Sequence, residues 1–200
     1  MVRAEFSNDF RAFLHNKYGL AIVNQLERRD LGADASLGGK QPEEAMAAPH
    51  QSVVIVHGIT NKISRFNGIV VALKARGYTS GEVFGTTWGD GGVTPAGLVD
   101  MKCAYVKQVR SMIIAVREYT GQKVDVVAYS MGSPIARKAI LGGNCVESRE
   151  VLGPPLTEHI DTFLSVAGAN YGSSLCIVPF QLALVTGKVG CTVNPSFWLI

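Results

Sequence analysis

Two short runs constrain this chain more than any others: SVVIVHG at residues 52–58 and KVDVVAYS at residues 123–130. Both are rich in β-branched residues, and neither has a clean polar face. Strands of that kind must be covered on both sides, which is the condition of a parallel sheet. The intervening stretches carry helical spacing. SRFNGIVVALKARG reads as a helix from a serine cap at Ser64 to a glycine stop at Gly77. Leu98–Thr120 reads as a long amphipathic helix with Val99, Cys103, Val106, Val109, Ile113 and Val116 on one side. GEVFGTTWGDGG is a further strand running into a glycine-rich loop, PIARKAILGG a further helix and DTFLSVAGAN a fourth strand. Alternating strands and helices predict an α/β fold, a mostly parallel sheet with helices on both faces.

Three regions are expected. Residues 1–50 form an N-terminal helical extension and linker, helical to about residue 30 through Phe10, Phe13, Leu14, Ile22, Val23 and Leu26, then small and polar from Gly32 to Gln51. Residues 51–178 form the α/β core. Residues 179–200 are an uncharacteristic tail that does not continue the alternation. A net charge of +3, with no basic block interleaved with aromatics, excludes a nucleic-acid partner. Four scattered cysteines, Cys103, Cys145, Cys176 and Cys191, leave no zinc spacing and three pairings open. The N-terminus lacks the apolar core of a signal peptide, and CIVPFQLALVTG is too short and broken to span a membrane.

The junction AYSMG is the candidate site. A serine nucleophile on a strand-to-helix corner needs small residues two before and two after it, and Ala128 and Gly132 flank Ser130 in that way. Pro134 falls in the first helical turn, where its missing N–H costs little. Acyl transfer also needs two N–H groups aimed at the developing oxyanion. Met131 supplies one. The loop after VVIVHG supplies the other at Ile59, with Gly58 allowing close backbone approach and His57 structural.

VVIVHGI, TTWGDGG, KVDVVAYSMGS and FLSVAGAN stand in the order and spacing of the class 2 lipases, and over roughly Ser52–Cys176 the chain resembles that family. These are the small Bacillus-type triacylglycerol lipases and their nematode relatives, α/β-hydrolases with alanine in place of the first elbow glycine; the likeness is closer to the nematode branch. The resemblance implies carboxylic-ester hydrolysis on acylglycerols, no cofactor, secretion, and transient contact with a lipid interface. It maps the nucleophile to Ser130 and the oxyanion amides to Ile59 and Met131. Tyr129, Trp88, Asp90 and Asn170 are candidate pocket-lining residues.

The partners of the serine are missing. The fold's order is Ser, then acid, then His. Only His159, Glu147, Glu150, Glu158 and Asp161 follow Ser130, and His159 and Asp161 precede the fourth strand, at the wrong end of the sheet. The expectation is a hydrolase core truncated at its C-terminus, inactive as it stands, whose acid and histidine lie beyond residue 200. A nucleotide-binding reading of GDGGVTPAG fails on glycine spacing.

Overall fold

The computed structural model describes residues 5–44 and 50–171. In chain order these form α1 (Asn8–Tyr18), α2 (Leu20–Glu27), β1 (Ser36–Leu37), β2 (Ser52–Val56), α3 (Asn67–Lys74), β3 (Val83–Thr86) and α4 (Cys103–Thr120). β4 (Val124–Tyr129), α5 (Gly132–Leu141), β5 (Gly143–Asn144), β6 (Val151–Gly153) and β7 (Ile160–Val166) follow. Five strands make one sheet in the order β1-β3-β2-β4-β7, parallel except for β1, which runs antiparallel to β3. The expected α/β fold with a mostly parallel sheet is thus the observed one.

The apolar runs explain the layering. Every residue of β2 is buried, because its two sides face different cores. Val54 and Val56 join Val124, Val126 and Ala128 of β4 in a large cluster under α1, α2, α4 and α5. Val53 and Ile55 join Val83 and Leu37 in a smaller one, closed by Ile63 and by Val70 of α3. Register then fixes where the loops emerge. Ser52 pairs with Val124 and Val56 with Ala128, so β2 and β4 end level and side by side.

Several local readings differ from the structure, each for a reason of long range. Within the stretch read as a linker, Ser36 and Leu37 are buried and pair with Thr86 and Gly85. Ser64 lies in a 3-10 turn (Ile63–Phe66) before α3 and caps nothing; its hydroxyl donates to Asp34 Oδ2 at 2.9 Å. α4 starts at Cys103 and not at Leu98, because its first N–H is met from afar, by Glu147 Oε2 at 2.7 Å. A disulfide joins Cys103 to Cys145 over a separation of 42 residues. The paired strands β5 and β6 carried no sequence signal. Cys176, Cys191 and the tail at 179–200 lie outside the described residues.

The disulfide ties the start of α4 to the β5–β6 segment, where Lys107 and Glu150 also pair at 2.6 Å. Closing a loop of that length is worth about 2–4 kcal/mol. The double variant Cys103→Ala/Cys145→Ala is expected to lose that much in urea unfolding, with a raised m-value as the uncrosslinked denatured chain exposes more surface; unchanged stability would show the bridge to be idle.

Candidate active site

Ser130 occupies the corner between β4 and α5 in left-handed backbone, φ +52°. For a residue with a Cβ that conformation costs roughly 1–2 kcal/mol, so the surroundings must impose it. They do so on both sides of the residue. The Ser130 N–H donates to Val166 O at 2.9 Å, and its carbonyl accepts the N–H groups of Ser133 and Ala169, each at 3.1 Å. The turn after β7 therefore grips the elbow. Buried Ser133 adds a bond from its hydroxyl to Ala128 O at 2.9 Å.

The small residues have measurable work. A Cβ on Gly132 would lie 2.3 Å from His57 O and 2.8 Å from Val56 O, inside the backbone of β2's exit. One on Gly58 would lie 3.0 Å from both the Ser130 Cβ and the Tyr129 ring. Ala128 is fully buried. The loop leaving β2 thus lies directly against the elbow, and among the described residues neither the Ile59 nor the Met131 N–H has an acceptor. Met131 also opens α5, whose N-terminus adds partial positive charge beside it.

His57 sets how that loop presents itself. It is completely buried. The Trp88 N–H donates to its Nε2 at 2.9 Å, so Nδ1 carries the proton and donates to Gly58 O at 2.7 Å. The Trp88 indole N–H donates to His57 O at 2.8 Å, and the two rings stack at 4.9 Å, 3° from parallel. Because the peptide is planar and trans, fixing the Gly58 carbonyl on the imidazole turns the Ile59 N–H away from it. Burial pushes the His57 pKa down from 6.5 to about 4, assisted by the charge of Arg28 and opposed by the bond to Gly58.

The remaining candidates fall into two places. Trp88 is buried and Asp90 half-buried on the loop after β3, where with Thr60, Asp100 and His57 they border a cleft of about 50 Å³ that does not include Ser130. The Asp90 carboxylate accepts the N–H groups of Gly92, Val93 and Thr94 at 3.0, 3.2 and 2.8 Å. The Thr94 hydroxyl is the first cause of its lowered pKa. That side chain folds its own loop. Tyr129, 39% exposed, and Asn170 are on the Ser130 side; Asn170 Nδ2 donates to Ser165 Oγ at 3.0 Å in the turn that grips the elbow.

No side chain among the described residues hydrogen-bonds Ser130 Oγ. Val124 pairs with Ile160 and Tyr129 with Val166, so His159 and Asp161 stand at the start of β7, about 16 Å of strand away from the elbow. Glu147 caps α4 and Glu150 holds Lys107.

With this geometry in view, comparison with known proteins gives a consistent assignment. Residues 50–194 match the family model described as lipase, class 2, and the chain belongs to that family. Its structure is similar to that of the Bacillus licheniformis lipase BlEst2 in its mature form, with a TM-score of 0.50 and 16% identity over 78% of this chain and 56% of that one. The propeptide form of the same lipase gives a TM-score of 0.49 and 17% identity over 74% and 28%. The chain spans about half the length of the mature lipase. Among curated proteins none matches.

Two outcomes test this geometry. Gly132→Ala must push its new methyl into backbone and is expected to cost about 1–3 kcal/mol; a variant as stable as wild type would contradict the close approach. The unfolded chain protonates His57 near pH 6.5 and the folded chain only near 4. Its contribution is therefore complete above pH 6.5 and lost as the pH falls from there to about 4, roughly 3 kcal/mol in all. Urea unfolding of wild type against His57→Asn over that range should show the difference narrowing as the pH drops.

Proposed function

We propose that this chain carries the nucleophilic half of a carboxylic-ester hydrolase of the triacylglycerol lipase type. Ser130 Oγ attacks the ester carbonyl, the Ile59 and Met131 N–H groups hold the resulting oxyanion, and the alcohol leaves to give an acyl-enzyme that water cleaves. The observation that carries this reading is the strained Ser130, held on both sides by backbone, with an N–H group lacking an acceptor among the described residues at Met131 after it and at Ile59 in the loop beside it. No cofactor is required by this chemistry. Proximity to the nematode branch rests on the motif sequences alone.

A serine hydroxyl needs a base to become a nucleophile, and none of the described side chains reaches it. Residues 172–200 contain no Asp, Glu or His, and His159 and Asp161 stand at the far end of β7, so neither a base nor its acid partner is in place. Without them turnover falls by several orders of magnitude, which favours a second reading of the same site: a lipase-like surface that binds ester lipid without hydrolysing it. Exposed Val93 and Leu98, after β3, Tyr129, at the end of β4, and Tyr171, after β7, give the site's end of the sheet an apolar fringe suited to brief lipid contact. No helix among the described residues is long and apolar enough to cross a membrane. The Cys103–Cys145 disulfide supports an oxidising compartment, in keeping with secretion.

The two readings part in one experiment. With p-nitrophenyl butyrate the 200-residue chain should stay at background, and added imidazole, acting as an external base, should raise the rate above that of imidazole alone with wild type but not with Ser130→Ala. Hydrolysis without imidazole that Ser130→Ala abolishes would show a base already present. No imidazole response, together with retained binding to trioleoylglycerol emulsion, would leave the lipid-binding reading alone.

A further inference from the structure

We propose that residues 28–34, which precede the region matched by the family, form a clasp that positions the oxyanion loop. The clasp has two arms. Arg28 follows α2 in left-handed backbone, φ +54°, which turns the chain back over the sheet's end. Its Nη1 donates to Thr87 O at 3.0 Å and Gly89 O at 2.7 Å, the carbonyls on either side of Trp88. Asp30 steadies the same guanidinium, with its Oδ2 2.7 Å from Nη2. The second arm is Asp34, whose carboxylate accepts Lys62 Nζ at 3.2 Å and the Ser64 hydroxyl at 2.9 Å. Lys62 also donates to Leu31 O at 2.6 Å.

The two loops so gripped are those that set the Ile59 N–H. From Arg28 the contacts run through the Trp88 backbone to His57 Nε2, then from His57 Nδ1 to the Gly58 carbonyl, which shares its peptide with Ile59. On the other side, Lys62 and Ser64 fix the far end of the loop that begins at Gly58. The loops also touch each other, since a Cβ on Gly92 would lie 2.6 Å from Thr60 O. Removing Arg28 frees two buried-side carbonyls and lets Trp88 shift, and a shift of Trp88 is handed to the peptide on which the oxyanion donor sits. Arg28 and Asp34 are positioning residues: they touch no substrate and act through the loops.

The relevance of the clasp to catalysis rests on the hydrolase reading, so the test has an arm that does not. The full 200-residue chain is compared as wild type, Arg28→Met, Arg28→Lys and Asp34→Asn, the last at a half-exposed position where folding is not at stake. Residual dipolar couplings report the direction of the Ile59 N–H bond without any ligand. Arg28→Met and Asp34→Asn should change the Ile59 coupling while those of Val54 and Val126 stay fixed, and Arg28→Lys should recover part of the wild-type value. In imidazole-supported ester turnover, Arg28→Met should lose about ten- to a hundredfold in kcat with little change in KM. Variants that lower the Tm yet leave the Ile59 coupling unchanged would overturn the clasp. A wild type that shows no imidazole-dependent turnover would sink the hydrolase reading, while the couplings still decide the clasp.

Discussion

The arrangement depends on one close approach, the backbone of β2's exit lying against the strand-to-helix corner at Ser130. Gly132 leaves no room for a methyl beside the His57 and Val56 carbonyls, and Gly58 leaves little beside Ser130. Two backbones meet there at a separation side chains would prevent. That contact brings the loop that carries Ile59 against the corner that carries Ser130 and Met131. It is also why parallel strands of matched length matter: with β2 and β4 ending level, their exit loops have nowhere to go but against each other. The sheet supplies alignment, and the glycines turn alignment into contact.

Strain at the corner is sustained by elements distant in sequence. Ser130 keeps its left-handed backbone because Val166, at the end of β7, and Ala169, beyond it, bond to both of its peptide groups. The loop after β2 keeps its shape because a fully buried, neutral histidine is saturated on both ring nitrogens. His57 is a poor candidate for a base on these grounds, since its protonated form would present two donors to a site that offers one acceptor and one donor. The same burial that disqualifies it as a base makes it a rigid spacer between Trp88 and Gly58.

Much of this was legible in the sequence, for identifiable reasons. The buried strands showed because VVIV and VDVV admit no solvated face, and the elbow showed because Ala128, Ser130 and Gly132 satisfy a steric rule that is local. Helix boundaries were less legible where the cap came from far away, as at Cys103, whose N–H is met by Glu147. FLSVAGAN showed as a strand but not as the grip on the elbow, and Arg28 and Asp34 gave no signal at all. Their roles come from tertiary contacts across 59 or more residues for Arg28 and about 30 for Asp34, and nothing in the composition of RRDLGAD marks it as more than a polar turn. Trp88 and Asp90 were legible as special but not as what they are, a packing wedge and a loop closure.

The account stands on Ser130 lying in a formed oxyanion hole and lacking only a base. The most direct measurement is peptide mapping by mass spectrometry after treatment of the 200-residue chain, with imidazole as external base, with a p-nitrophenyl alkylphosphonate, whose tetrahedral phosphorus needs the same two amides. The account predicts one adduct, on Ser130, formed faster than on any other serine of the chain and absent from Ser130→Ala. An adduct spread over other serines, exposed Ser148 among them, or none at all, would contradict it.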